Sequence, residues 1–212
     1  MTQKIKLWGA AGSPFTRSVQ IALDEKGLSH ELIELPLPDY KGPEYLSERH
    51  PFGRIPAIEI DGFRLYETQA IIRFLDELRP EPSLQPGTPF QRARMNQMLG
   101  ILDCYGWPSI GAILLNRILR PMFLNEAPIE AEIEAALPQA RTTVQAFADL
   151  MDEGGPFLCG ERPGIADIMI YQIMAYFIQT AEGAPMIAEH PRFAAWIEQM
   201  AEREGARMPL AA

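Results

Sequence analysis

Pro51-Phe52-Gly53-Arg54-Ile55-Pro56, followed eleven residues later by Glu67-Thr68, is the stretch that decides the fold of this chain. A proline has no backbone N–H, so Pro56 opens a strand rather than sitting inside one. Behind it, Ile58-Glu59-Ile60-Asp61-Gly62-Phe63-Arg64-Leu65-Tyr66 alternates on both sides of Asp61-Gly62, the signature of a hairpin with a two-residue turn. A helix follows from Thr68, with Ile71, Ile72, Leu75 and Leu78 at helical spacing on one face. The segment therefore reads as turn, strand, strand, helix.

Upstream of it, Lys4-Ile5-Lys6-Leu7-Trp8 alternates as a strand does, and Gly9-Ala10-Ala11-Gly12 is a loop. Ser13-Pro14 starts a helix, with Ser13 as N-cap and Pro14 at the first helical position. Val19, Ala22, Leu23 and Lys26 share a face of that helix, and Gly27 ends it. Residues 30–35 form a second strand through Leu32, Ile33 and Leu35. The first two strands are parallel by the right-handed crossover rule. The connection from there to Pro51 reads as irregular.

After residue 80 nearly everything reads as helix. The join, Arg79 to Pro89, holds four prolines and a glycine in eleven residues, a linker composition. The expected domains are 1–79, a linker at 80–89, and 90–212. In the last of these, 90–120 reads as one helix bent at Pro108, and 129–151 as another interrupted at Pro138. Ala166–Phe177 is apolar nearly all round, as a central bundle helix is. Phe193, Trp196, Ile197 and Met200 mark a final amphipathic helix.

Bulk composition narrows the function. Of 212 residues, 47% are apolar, enough for a packed core. The formal net charge is −9 with pI near 4.9, which argues against nonspecific binding to nucleic acid or anionic lipid. The two cysteines, Cys104 and Cys159, form no C-x-x-C, so dithiol exchange of the thioredoxin kind is excluded. Two lone thiols fit a reducing compartment. His30, His50 and His190 lack metal-ligand spacing, and the two that precede prolines read as turn residues. The N-terminus lacks the apolar core of a signal peptide, and no uninterrupted apolar run reaches membrane-spanning length. The expectation is a cytoplasmic protein.

The β-α-β, β-β-α order, the proline-rich join and the helical remainder together resemble the cytosolic glutathione transferases, serine-type. The resemblance rests on Ser13-Pro14-x-x-Arg17, Pro51-Phe52-Gly53-Arg54-Ile55-Pro56-Ala57 and Glu67-Thr68-x-Ala70-Ile71, and it spans almost the whole chain. It implies an α/β thioredoxin-like N-terminal domain and an all-α C-terminal domain. It also implies glutathione as cosubstrate, a small hydrophobic electrophile as second substrate, and a homodimer, with no metal or nucleotide cofactor.

Roles for individual residues follow from the same resemblance. A cis Ile55–Pro56 bond would leave the backbone of Ile55 to pair with the cysteinyl unit of glutathione, as an added strand does. Thr68 would take the γ-glutamyl carboxylate and Glu67 its ammonium; Thr68 is equally an N-cap, and one geometry serves both roles. Serine is more usual than threonine at this second position. Lys41 and Arg54 are candidates for the glycine carboxylate, although most such cations are solvated surface charges. Ser13 would donate a hydrogen bond to the glutathione sulfur and favour the thiolate, the form that attacks; as a plain N-cap it would do no chemistry. Thr16, on the same turn, is the second candidate hydroxyl. The N-terminal domain has no cysteine, which disfavours disulfide exchange with glutathione, and no tyrosine precedes the first helix. Phe15, Tyr105, Trp107 and Met122 are candidate walls of the electrophile pocket, though an aromatic on a long apolar helix is more often core. Gly164, with Asp167 three positions on, reads as a structural helix cap. A glutathione-dependent isomerase, dehalogenase or peroxidase, or a non-catalytic binding protein, would share this layout.

Overall fold

The computed structural model describes residues 4–36, 39–151 and 154–203. They form two compact units, one running to Gln85 and the other from Pro86 to Arg203.

In the first unit, β1 (Ile5–Gly9) leads through α1 (Pro14–Glu25) to β2 (His30–Glu34). A 3-10 turn at Asp39–Lys41 and α2 (Pro43–Glu48) precede β3 (Ala57–Ile60), β4 (Phe63–Tyr66) and α3 (Thr68–Leu78). The sheet order is β2-β1-β3-β4. β1 and β2 are parallel, and β3 runs antiparallel to both β1 and β4. This is the mixed sheet of a thioredoxin-like domain. Ile5, Leu7, Ile58 and Ile60 bury one layer of the core, and Val19, Ala22, Leu23, Ile71, Ile72 and Leu75 bury another from α1 and α3. Leu78, expected in that layer, is only half-buried.

Local chemistry accounts for the boundaries. Ser13 caps α1 by accepting from the Thr16 N–H at 3.3 Å. Gly27, at φ +61°, closes the helix as the residue past the cap: its N–H reaches Asp24 O and that of Leu28 reaches Leu23 O, both at 2.9 Å. Asp61 and Gly62 both have positive φ, as the tight hairpin turn requires. α2 falls where the sequence reads as irregular. It buries only Tyr45, so it has no apolar stripe to announce it.

Lys26 is buried with the apolar face of α1. Its ammonium pairs with Asp76 of α3 and donates to the carbonyl of Pro82. Asp76 also accepts from the Leu84 N–H at 2.7 Å and from Gln85 Nε2 at 3.0 Å. One buried carboxylate thus ties the proline-rich segment to the core of the first unit.

The second unit is helical: α4 (Pro89–Ile101), α5 (Trp107–Leu114), α6 (Glu130–Leu150), α7 (Ile165–Phe177), α8 (Gly183–Ala188) and α9 (Pro191–Ala201). Helix continues from α4 through α5 to Leu124, four residues past its expected end, but not as uniform α-helix. It widens to π geometry over Leu102–Gly106, directly before Pro108, and over Leu115–Leu124, around Pro121. These are the places where a proline removes a backbone donor. Pro138, by contrast, does not interrupt α6. It lies on an exposed turn, where the carbonyl it leaves unbonded faces solvent.

Pro89–Leu124 is 36 residues long and apolar enough to cross a membrane by length and composition. Half of its most apolar window is buried inside this unit, and it packs against α6 and α7, as a core helix does. α7 is buried along almost its entire length. Its N-cap is Gly164, and Asp167 at the third helical position accepts from the Gly164 N–H, the Leu158 N–H and Trp196 Nε1, each at 2.9 Å. Burial pushes the Asp167 carboxyl up to about 6, against the pull of these donors.

Candidate functional site

Strand register gathers the sequence motifs at one end of the sheet. Trp8 pairs with Ala57, and Ala57 pairs with Tyr66. The loop leaving β1, the turn entering β3 and the exit from β4 therefore share an edge, with strands spaced about 4.8 Å apart. Ser13, Ile55-Pro56 and Glu67-Thr68 lie just beyond that row.

The Ile55–Pro56 bond is cis. Neither the N–H nor the C=O of Ile55 bonds to a described residue, so the strand entry presents a free donor and a free acceptor. The carbonyl before it is fixed, because the buried Tyr45 hydroxyl donates to Arg54 O at 2.7 Å. Burial raises the Tyr45 phenol above the ordinary range, which keeps it protonated and donating. Gly53, at φ +57°, lies in close contact with Lys41, and a Cβ there would come within 3.0 Å of Lys41 Cδ and of Tyr40 O. Lys41 and Arg54 are both exposed, and neither forms an ion pair with a described residue.

Ser13 stands at the N-terminus of α1, where unpaired N–H groups and the helix dipole favour negative charge. Its oxygen accepts from Thr16, a bond that does not use its own proton. The loop before it is pinned to β2 by the Ala11 N–H on Glu34 Oε1 at 3.0 Å. Thr16 is fully buried, and a Cβ on Gly9 would fall 2.4 Å from its Oγ1. Of the two hydroxyls, only that of Ser13 is near the surface.

At the third corner the helix cap is Glu67, and Thr68 is the first helical residue rather than the cap. Glu67 adopts φ +71° and ψ 114°, outside the left-handed well as well as the ordinary regions. Such a conformation costs about 1–3 kcal/mol and persists only where the surroundings enforce it. Its carboxylate is exposed, while the Thr68 hydroxyl bonds to no described residue.

His50, expected from sequence to be a turn residue, does close a turn by accepting from the Gly53 N–H, but its ring is also buried. The side chain is 2% exposed and lies against Tyr66, the rings tilted by 38° with centroids 4.6 Å apart. Its Nε2 is 3.8 Å from Glu67 Oε1, and its Nδ1 accepts from the Phe52 N–H at 3.3 Å. Burial lowers its pKa below the usual value; Glu67 opposes this, while Arg54 and Lys41 reinforce it. These influences place Glu67, Arg54 and Lys41 around a single imidazole. A histidine before a proline carries no local signal of such burial.

The candidate pocket residues are more dispersed. Phe15 is half-buried on α1, in the first unit. In the second unit, Tyr105 is exposed, and half-buried Trp107 lays its ring over Gly111. Met122, also exposed, lies roughly 20 Å further along the helix at 1.5 Å per residue. No cluster of histidine, cysteine and carboxylate residues suited to a metal occurs among the described residues.

Comparison with known proteins agrees with this fold. The glutathione S-transferase N-terminal domain model matches residues 7–83, and the C-terminal domain model matches 130–199. A maleylacetoacetate isomerase of Pseudomonas aeruginosa is 32% identical over 171 residues, 78% of each chain. Glutathione S-transferase 4 of Zea mays is 26% identical over 207 residues, covering 97% of this chain and 91% of its own. Among solved structures, glutathione transferase F7 of Populus trichocarpa superposes with a TM-score of 0.85 at 24% identity, over 96% of both chains. Sequence, register and fold converge: this chain belongs to the glutathione S-transferase family.

Proposed function

We propose that the chain is a serine-type glutathione transferase, with glutathione held along the sheet edge formed by Ile55, Glu67-Thr68 and Ser13. The observation that carries this reading is the unbonded N–H and C=O of Ile55 at the cis Ile55–Pro56 turn. A peptide pairs with such a group as an added strand. Thr68 and the N-terminus of α3 receive the γ-glutamyl carboxylate, Glu67 its ammonium, and Lys41 with Arg54 the glycine carboxylate. The sulfur then points to Ser13, whose hydroxyl and helix end favour thiolate over thiol. The thiolate attacks an electrophilic carbon of a small hydrophobic substrate, and no metal or nucleotide enters the scheme. Phe15, Tyr105, Trp107 and Met122 remain the candidate residues for contact with that substrate.

The domain assignment of 1–79, 80–89 and 90–212 is supported by the unit break at Gln85, which falls inside the middle segment. Homodimerisation and a cytoplasmic site of action complete the proposal; the acidic pI of 4.9 supports a partner that is neither nucleic acid nor anionic membrane. A second reading, a glutathione-dependent isomerase, is favoured by the 32% identity to the Pseudomonas isomerase. It uses the same glutathione site with a different second pocket.

Calorimetry with glutathione tests the shared part: no heat of binding at millimolar ligand ends both readings. Given binding, Ser13→Ala should raise the pKa of bound thiol by about 1–2 units, the value of one hydrogen bond to a charged group. An unchanged thiolate absorbance titration moves the catalytic role away from Ser13. Turnover of maleylacetoacetate against a panel of electrophilic aryl halides then separates isomerase from transferase.

A further inference from the structure

His50 is a buried titratable group that the proposed chemistry does not use, and it lies beneath the segment that chemistry depends on. Three contacts define its state. Its Nδ1 accepts from the Phe52 N–H at 3.3 Å, which puts the proton of the neutral ring on Nε2. That nitrogen faces Glu67 Oε1 at 3.8 Å. The carbonyl of His50 closes the turn leading to Ile55 by accepting from the Gly53 N–H at 2.9 Å. One residue thus joins the turn that presents the Ile55 backbone to the strained cap that presents the Glu67 carboxylate.

We propose that His50 is a positioning residue for the γ-glutamyl end of the ligand, competent only when neutral. The inference rests on the glutathione reading given above. A neutral ring turns one N–H toward Glu67 and leaves most of that carboxylate's lone pairs for the ligand's ammonium. A protonated ring has N–H groups on both nitrogens. Nδ1 then opposes the Phe52 N–H, donor against donor, and the 50–53 turn loses that bond. Nε2 becomes a cation that competes with the ammonium for Glu67. The charged groups around the ring are Glu67 from the β4–α3 junction, Arg54 from the same loop and Lys41 from the 3-10 turn; Tyr66 of β4 supplies the neighbouring ring, tilted by 38°. The two cations and burial oppose protonation, and only Glu67 favours it. The ring is therefore neutral at pH 7 and gains its proton on acidification.

The test measures binding of S-methylglutathione, whose sulfur cannot ionise, by calorimetry between pH 5.5 and 7.5. Affinity of the unaltered chain should fall toward low pH, approaching tenfold per pH unit below the His50 pKa, the limit for one linked proton. His50→Asn offers an acceptor to Phe52 and a donor toward Glu67 with no charge to gain. It should bind as the unaltered chain does at pH 7.5 and lose the pH dependence. A His50→Asn profile that still falls with acid overturns the proposal, as does a flat profile in the unaltered chain. A nitrogen-edited NMR titration gives an independent check on the unaltered fold: the proton of neutral His50 should reside on Nε2, and Glu67→Gln should lower the His50 pKa. A proton on Nδ1, or an unmoved pKa, overturns it equally. If the unaltered chain binds no glutathione at any pH, the site reading itself fails and takes this inference with it; binding that ignores His50 sinks the inference alone.

Discussion

Thr68 shows what one atom contributes at this site. It is buried at 7% exposure and β-branched, so Thr68→Val keeps its shape and packing while removing the hydroxyl. If that hydroxyl takes the ligand carboxylate, glutathione affinity should fall roughly tenfold, near the value of one charge-assisted hydrogen bond. The unfolding midpoint should hardly move. Calorimetry beside a melting curve checks both, and unchanged affinity would leave Thr68 a structural residue. The candidacy of this residue is legible in sequence because Glu67-Thr68 stands between a hairpin and a helical pattern. The backbone of Glu67 is not: φ +71° at a non-glycine residue is imposed by neighbours and leaves no local signature. The burial of the His50 ring is hidden for the same reason, although its place in a turn is not. Its partners, Tyr66 and Glu67, are sixteen and seventeen positions away and meet it only when β4 takes its place.

At the scale of elements, the close approach of β1 to the start of α1 is the contact most directly tied to chemistry. Gly9 permits it: a Cβ there would overlap Thr16 Oγ1 at 2.4 Å and Cγ2 at 2.5 Å. Gly9→Ala should push the first turn of α1, and Ser13 with it, away from the sheet. Stability should drop by about 1–3 kcal/mol, the usual result of overpacking. The bound thiol should also be harder to ionise. The double variant Gly9→Ala, Thr16→Ala removes the clashing atoms and should recover most of the stability. Denaturant unfolding of the three chains checks this; failure of the double variant to recover would place the strain elsewhere. Most elements were readable from periodicity and caps. α2 was not, because a six-residue helix with one buried side chain has no face to detect. The π-helical turns before Pro108 and around Pro121 were likewise hidden, since the prolines foretell a disturbance without stating which form it takes.

Across the whole molecule, Asp167 carries the clearest pH signature. Its folded pKa of about 6 lies above the unfolded value of 3.8, so the folded chain binds this proton more tightly than the unfolded chain. The contribution of Asp167 to stability is therefore greatest below pH 4, declines between about pH 4 and 6, and is constant above. The decline amounts to about 3 kcal/mol at 1.36 kcal/mol per pKa unit. Asp167→Asn should be less stable overall, because its amide opposes the Gly164 N–H, yet it should lack this decline. The difference in unfolding free energy between the two chains, measured from pH 4 to 7, isolates the term. A difference independent of pH would show that Asp167 is ionised without penalty.

The sequence by itself determined most of the elements, the cap at Ser13 and the tight turn at Asp61-Gly62, and through its resemblance to a known family it pointed to the glutathione S-transferases. The elements, cap and turn follow from local preference, and the family from motifs that resemble its known members. Only the tertiary structure decided that Trp8, Ala57 and Tyr66 share a row, and so that three separated motifs lie along one edge of the sheet. It also decided that Lys26 and Asp76 neutralise each other inside the core, that Thr16 turns inward while Ser13 stays near the surface, and that His50 is buried beneath Glu67. Each of these depends on strand register or on burial. Those properties arise between residues far apart along the chain, where desolvation and charge act through space rather than through sequence.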